Sequence, residues 1–176
     1  MREALLFVVG FLLRLALFVV LVRLLLQWTR ADFRNPLCQA VVKLTNPLIL
    51  PLRRVLPPIG KIDTASVVAV FLVAIVYVGT VFALTDGIPP PLLWIRPVLL
   101  EIVHTLLTTY FYAIILYAAL SLIAPGGYSP LQSVLSSLCE PVLRPIRRVI
   151  PALAGIDLSP LWACMIITVI FILLRS

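Results

Sequence analysis

The sequence is poor in charged residues and in the side chains that carry most chemistry. Charged residues make up 12% of its 176 positions, with one histidine, three cysteines and seven acidic residues. A single histidine without cysteine or carboxylate at ligand spacing argues against a metal site. Cys38, Cys139 and Cys164 form no CxxC pattern, so we expect free thiols, with Cys38 and Cys139 on a reducing side of a membrane.

Sequence motifs of enzymes are also missing. There is no glycine-rich phosphate loop, no Gly-x-Ser-x-Gly elbow and no His-Glu-x-x-His pair. His104 is predicted near the outer face, away from Cys38 and Cys139. We therefore predict no catalytic residue, no metal and no cofactor, and a protein that is not an enzyme.

Apolar residues, in contrast, are in excess. They make up 62% of the chain, and the mean hydropathy is +1.17, whereas about half apolar is usual for soluble domains. The sequence therefore predicts a membrane protein. The net charge of +7 is explained by basic loops beside membrane spans, and these loops lack the interleaved aromatics of a nucleic-acid site, so no nucleic-acid partner is expected.

Four apolar runs are candidates for membrane spans, and they predict an all-α transmembrane fold. The first run has no small-residue cleavage site, so we expect it to be retained and not removed as a signal peptide. The last run has about 17 residues, near the lower limit for crossing. The four runs are residues 4–28, 64–84, 97–123 and 158–174.

One stretch of the sequence occurs twice. PLILPLRRVLPPIGKID at 47–63 returns as PVLRPIRRVIPALAGID at 141–157, shifted by 94 positions, with eight of seventeen residues identical. The same shift carries Asn35-Pro36 onto Ser129-Pro130. The sequence therefore predicts two repeats, 1–84 and 85–176, with two spans each.

Between its two spans, each repeat should carry an amphipathic helix and a proline-rich strip, at 35–62 and 129–156. A capping side chain followed by proline predicts helix starts at Pro36 and Pro130. Pro47 is expected to end the first helix near Thr45. The prolines that follow favour an extended or shallow re-entrant strip at the membrane interface.

The basic residues predict the orientation of the chain. The three loops between spans hold six, one and three of them, which places loops one and three in the cytoplasm and both termini in the periplasm. Because each repeat has an even number of spans, both copies should insert the same way up. A pseudo-two-fold axis along the membrane normal would then place the two strips on one face.

These repeats resemble the YggT family in its two-repeat bacterial form. The resemblance lies in the two capping prolines, in Pro-x3-Pro-x-Arg-Arg-x-x-Pro and in Gly-Ile-Asp-x-Ser-Pro at 155–160, and it covers nearly the whole chain. The first copy departs from it at Lys61 and Ser66, where the second has Gly155 and Pro160.

The resemblance implies a bacterial inner-membrane protein linked to osmotic or potassium-related tolerance. Single-repeat relatives in Gram-positive bacteria, cyanobacteria and chloroplasts are associated with cell division, nucleoid distribution or cytochrome assembly. These associations differ too much to give a mechanism.

The strips are the first candidate site. Two arginine pairs held by prolines could bind lipid phosphates or a partner's carboxylates bidentately; alternatively, they only fix the orientation of the chain. The residues of this candidate lipid- or partner-binding site are Arg53, Arg54, Arg147, Arg148, Pro47, Pro51, Pro141 and Pro145.

Acidic and intramembrane polar residues form the other candidates. Asp63 and Asp157 should cap the helices that follow them, or else pair with the nearby arginines. Arg14, Glu101 and His104 are ionisable groups within predicted spans. We interpret them as a structural tie between spans, with a proton or ion path as the alternative.

Together these features predict a non-enzymatic inner-membrane protein that supports envelope integrity or osmotic and potassium homeostasis. Anionic lipid headgroups are the expected partners, with a second copy or another membrane protein as further candidates. The alternatives are a small oligomeric ion transporter or channel, and a scaffold for cell division or membrane-complex assembly.

Overall fold

The prediction of an all-helical chain is confirmed. A computed structural model describes residues 1–57, 63–85, 87, 89–123, 129–150 and 157–175. The regular structure in these ranges is helical, with a 3-10 turn at Pro91–Trp94. The α-helices are α1 (Arg2–Trp28), α2 (Pro36–Val55), α3 (Thr64–Leu84), α4 (Ile95–Ile123), α5 (Pro130–Val149) and α6 (Ser159–Arg175).

Three helical segments of the described chain are long and apolar enough to cross a membrane. They are Arg2–Trp28, Thr64–Leu84 and Pro91–Ile123, so the chain is a multi-pass membrane protein. The predicted fourth span, 158–174, coincides with α6, which has 17 residues and extends about 25 Å at 1.5 Å per residue. That α6 spans the membrane stays a prediction.

The helices α2 and α5 correct the predicted proline strips. Both continue through their prolines, Pro47 and Pro51 in α2 and Pro141 and Pro145 in α5. The prediction that the first helix ends near Thr45 was therefore wrong, because α2 continues to Val55. The predicted extended conformation was also wrong for the residues that lie within α2 and, in the second repeat, within α5, which continues to Val149. The rest of the strips, at 58–62 and 151–156, lies outside the described residues.

The placement of the prolines explains why these helices tolerate them. A proline lacks the N–H that would bond to the carbonyl one turn earlier. Pro47 and Pro51 are four residues apart and both exposed, whereas Thr45 and Ile49 are buried on another face. Pro141 and Pro145 are exposed as well. The carbonyls that lose a partner therefore lie on outer faces, which water or headgroups can reach.

The predicted starts of α2 and α5 are confirmed. Asn35 Oδ1 accepts a hydrogen bond from the Leu37 N–H at 2.9 Å, and Ser129 Oγ accepts one from the Gln132 N–H at 3.1 Å. Asn35 Nδ2 also donates to the Pro130 carbonyl at 2.7 Å. The two amphipathic helices therefore begin beside each other.

The chain divides into two compact units. One contains Met1–Leu24 and Val41–Leu106, and the other contains Leu25–Ala40 and Leu107–Ser176. In the second unit, α5 and α6 pack together around a buried cluster that α4 completes, comprising Ala113, Ile114, Leu135, Cys139, Leu143, Ala163 and Ile167.

In the first unit, Trp94 packs closely against α3. Its ring centroid lies 5.8 Å from that of Phe82, and its Nε1 donates to the Pro89 carbonyl at 3.0 Å. A Cβ on Gly79 would lie 2.9 Å from two atoms of the Trp94 ring. Glycine at this position therefore allows the close approach.

Gly79→Ala should destabilise the protein by about 1–3 kcal/mol, because the added methyl group overpacks against a ring that Phe82 and Pro89 hold in place. Thermal unfolding in detergent, followed by circular dichroism, measures the effect. Gly10→Ala is the matched control, because its Cβ would lie at an ordinary 3.8 Å from Tyr77. Equal stability of the two variants would contradict the prediction.

Candidate functional site

An ion pair joins the end of α2 to the start of α3. Arg53 Nη2 lies 2.5 Å from Asp63 Oδ2, and Arg53 Nε lies 3.4 Å from Asp63 Oδ1. The Asp63 side chain is 11% exposed, so the carboxylate is largely shielded from solvent. Thr64 Oγ1 donates to the Pro57 carbonyl at 2.8 Å and further ties the two segments.

The second repeat has the same pair and adds an acid. Arg147 Nε lies 2.7 Å from Asp157 Oδ2, and Arg147 Nη1 lies 2.6 Å from Glu140 Oε1. Arg144 approaches the other oxygen of Glu140 at 3.8 Å. The 94-residue shift maps Arg53 onto Arg147 and Asp63 onto Asp157, so both repeats make the same contact.

Helix ends favour both ion pairs. Arg53 and Arg147 lie in the last turns of α2 and α5, where the helix dipole attracts cations. Asp63 directly precedes α3 and Asp157 lies two residues before the first residue of α6, where the helix dipole attracts anions. Each pair thus brings two complementary helix ends together.

The two aspartates differ in how they cap. Asp63 precedes α3 but makes no capping hydrogen bond with its side chain; its Oδ2 accepts instead from the Ser66 hydroxyl at 2.7 Å. Asp157 Oδ1 accepts from the Ser159 N–H at 2.9 Å. Both aspartates therefore form an ion pair with an arginine. Asp157 also accepts a hydrogen bond from a backbone N–H at the start of α6, whereas the Asp63 side chain makes no such bond at the start of α3.

The surroundings of Arg147 and Asp157 in the second repeat favour the charged forms of both side chains. Burial alone would lower the pKa of the Arg147 guanidinium, but hydrogen bonds to Glu140, Asp157 and Tyr117 raise that pKa above its ordinary value. Burial alone would raise the pKa of Asp157, but bonds from Ser159 and Arg147 lower it. Both groups are therefore held ionised in the folded chain.

The neighbouring arginines are placed differently. Arg54 and Arg148 directly follow the paired arginines, and both are exposed. In each predicted binding pair, the inner arginine, Arg53 or Arg147, is partly exposed but contacts an aspartate, and the outer arginine lies at the surface. The four prolines of the predicted site are exposed on the same two helices.

Arg23 is a site residue that the sequence did not single out. Its side chain is 2% exposed, and its Nη1 donates to Thr45 Oγ1 at 2.7 Å, Asn46 Oδ1 at 3.0 Å and the Val42 carbonyl at 3.3 Å. Polar Thr45 and Asn46 in an amphipathic helix were the available signal for a buried partner.

The predicted intramembrane residues are partly brought together. Arg14 Nε lies 2.9 Å from Glu101 Oε1, and Arg14 Nη2 lies 3.4 Å from Glu101 Oε2. The Arg14 guanidinium also stacks over the Tyr77 ring at 4.9 Å, so three helices meet here. His104 lies three residues further along α4 and is exposed.

The cysteines are free thiols, as predicted. Burial raises the pKa of Cys38, and burial with the nearby Glu140 charge raises the pKa of Cys139 to about 12. Both thiols are therefore protonated at neutral pH and poorly nucleophilic. The described residues contain no cluster of three or more histidine, cysteine or acidic side chains that could hold a metal.

Comparison with known protein families identifies the family to which this duplicated sequence belongs. The CCB3/YggT family model matches residues 2–84 and 97–176. The chain belongs to the CCB3/YggT family. The two matched segments correspond to the two repeats, which supports the duplication inferred from the sequence.

Relatives of the chain come from several bacteria. The protein named "Uncharacterized protein YggT" from Escherichia coli K12 is 37% identical over 164 residues, covering 93% of this chain and 85% of the relative. An uncharacterized protein of Pseudomonas aeruginosa is 37% identical over 161 residues, covering 89% and 80%. One from Haemophilus influenzae is 32% identical over 166 residues, covering 94% and 85%. No solved structure matches the chain significantly.

Asp157→Asn separates the charge of this residue from its capping bond, because an amide still accepts from the Ser159 N–H. The folded pKa of Asp157 lies below its ordinary 3.8. Its charge therefore stabilises the fold above about pH 4, and this contribution is lost as the pH falls through the folded pKa. We expect the variant to be less stable at pH 7, by about 1 kcal/mol or less because the side chain is partly exposed.

Thermal unfolding of the wild type and the variant, from about pH 6 to about pH 2, measures this difference. It should close at the acid end. Arg147→Gln removes the same pair from the other side, so adding Asp157→Asn to it should cost little more. A stability difference that persists unchanged at low pH would contradict the role of the charge.

Proposed function

We propose that this protein holds α2 and α5 on the cytoplasmic surface of a bacterial inner membrane and binds anionic lipid headgroups there. Arg54 and Arg148 are the proposed lipid-binding residues. The proposed physiological role is support of envelope integrity or of osmotic and potassium homeostasis, as the family resemblance suggests, and it requires no catalysis.

The division of each arginine pair is the observation that carries this proposal. Asp63 and Asp157 engage the inner arginines, Arg53 and Arg147, and so fix the ends of the two helices. The next residue in each helix, Arg54 or Arg148, is exposed. An exposed guanidinium on an anchored helix end can make a bidentate contact with a lipid phosphate.

The apolar residues around the outer arginines support a position in the interface. Leu44, Leu50 and Val55 of α2 are exposed, and so is Val149 beside Arg148. Exposed apolar residues interleaved with basic ones are typical of helices that lie in the headgroup region. Since both helices are also buried along another face, they can contact the protein and the lipid surface together.

The proposed topology has four spans, with α6 as the fourth and both termini in the periplasm. The hydrogen bond from Asn35 to the Pro130 carbonyl supports placing the starts of α2 and α5 on the same side of the membrane. The excess of basic residues in their loops supports the cytoplasmic side.

An ion transporter or channel is the alternative from another class. The observation that favours it is the Arg14–Glu101 pair inside candidate spans, because ionisable residues in spans often mark ion paths. The two groups neutralise each other, however, which suits a structural tie. A scaffold for division or membrane-complex assembly is the third reading, in which Arg54 and Arg148 contact a protein carboxylate.

Replacing both outer arginines should weaken the binding of anionic lipid without unfolding the protein. Each charge near an anionic surface contributes about 1 kcal/mol, so Arg54→Gln with Arg148→Gln should lower the affinity for phosphatidylglycerol about 30-fold. Titration of detergent-solubilised protein with fluorescent phosphatidylglycerol measures the affinity, and phosphatidylcholine is the control lipid.

Matched variants test the division of each pair. Arg53→Gln with Arg147→Gln should lower the thermal unfolding temperature, because each change leaves an aspartate unpaired. Lysine at 54 and 148 should give intermediate lipid affinity, because it keeps the charge but not the bidentate geometry. Unchanged phosphatidylglycerol affinity in the glutamine variant at 54 and 148 would overturn the proposal. Photo-crosslinking from 54 or 148 to a protein in cells would favour the scaffold.

Flux measurements separate the transporter from the proposed role. Proteoliposomes containing the wild type should pass potassium ions and protons no faster than empty vesicles, because Arg14 and Glu101 compensate each other's charge. Flux in the wild type that disappears in folded Arg14→Leu protein would establish the transporter in place of the proposal. Thermal unfolding of that variant in detergent, followed by circular dichroism, would show that it is folded.

A further inference from the structure

The Arg14–Glu101 pair is only partly covered by its own chain. Arg14 lies near the middle of α1, and its side chain is 57% exposed, against 13% for Glu101. Tyr77 covers one face of the guanidinium, and Glu101 covers one edge. The remaining edge faces outward from a candidate membrane span.

That outward edge retains unused hydrogen-bonding capacity. A guanidinium carries five N–H donors, and a carboxylate has about four acceptor sites. Among the described residues, Arg14 directs two contacts to Glu101, one to each oxygen. The pair can therefore donate and accept further bonds at the same time, which makes it complementary to a second copy of itself.

Lipid chains are poor partners for this edge. Acyl chains offer no acceptor for the N–H groups that Glu101 leaves unused, and a polar group without a hydrogen-bond partner in hydrocarbon is costly even where its charge is paired. A protein surface at the same depth avoids this cost. A second copy of the chain carries its own Arg14 guanidinium and Glu101 carboxylate at the same depth in the membrane, so it offers both a donor and an acceptor to this edge.

The surface of α1 around Arg14 has the spacing of a helix-packing seam. Phe7, Phe11, Arg14 and Phe18 follow each other at intervals of four, three and four residues, and all four are exposed. Alternating intervals of three and four keep side chains on one face, as in helices that pack at a shallow angle. The seam therefore continues on both sides of the charged pair.

We propose that a second copy of the chain packs against this face about a two-fold axis, so that two Arg14–Glu101 pairs form one ring of alternating charges. Each guanidinium keeps its own carboxylate and donates outward to the partner's. An isologous interface of this kind uses the same residues in both copies. The phenylalanines of the two seams pack above and below the ring.

Charge reversal in separate copies tests this proposal. Arg14→Glu alone gives an all-acidic ring, and Glu101→Arg alone gives an all-basic ring, so neither should self-associate. A mixed pair of the two variants places the two carboxylates of one copy opposite the two guanidinium groups of the other, so opposite charges again meet across the interface, although each copy keeps two like charges. Co-expressed with different tags, the two variants should co-purify in nanodiscs at least about tenfold more than either does with itself, since one such contact contributes about 1–2 kcal/mol.

The double variant Arg14→Glu with Glu101→Arg is the folding control. It restores the pair within one chain and should recover both wild-type stability and self-association. Failure of the mixed variants to associate beyond their self-association would overturn the proposal, because a pair that acts only within one chain gains nothing from mixing. Wild-type protein that is monomeric in nanodiscs would overturn it as well.

Discussion

The ion pair between the end of an amphipathic helix and the start of the next helix is the contact on which each repeat depends. It occurs as Arg53–Asp63 and again as Arg147–Asp157. In each pair, the arginine lies in the last turn of one helix and the aspartate lies just before the first turn of the next helix. The dipoles of both helices therefore stabilise the charges of the pair. Without this contact, the helix end that carries the exposed arginine would lose its charged tie to the next helix.

The two repeats make this contact with different surroundings. Under the 94-residue shift, Arg23 corresponds to Tyr117, and Asn46 corresponds to Glu140. In the first repeat, buried Arg23 is hydrogen-bonded by neutral oxygens of α2. In the second, Glu140 binds Arg147 directly. The duplication thus preserves the tie between helices while the polar layer around it carries an extra cation in one repeat and an extra acid in the other.

Sequence patterns predicted most of the framework and less of the candidate site. The repeat, the apolar segments and the helix starts after Asn35 and Ser129 follow from local signals, because capping and periodicity act over a few residues. The prolines misled the prediction, since the cost of a proline depends on which helix face carries it. Pro47 and Pro51 lie on an exposed face, a fact set by tertiary packing. The burial of Arg23 likewise depends on how α1 packs against α2.

The relative positions of residues along the helices could be predicted, whereas rotation of the helices could not. The shift between repeats placed Arg14, Glu101 and His104 within reach of one another, but the choice of Glu101 depends on which way each helix faces. In a chain with only seven acidic residues, Glu101 in a candidate span and Asp63 and Asp157 before α3 and α6 contact arginines. The basic residues that remain at the surface, Arg54 and Arg148 among them, then give that surface its positive charge. Acids in these contacts thus neutralise the arginines that join helices, and the exposed arginines beside them keep their charge uncompensated by Asp63 and Asp157.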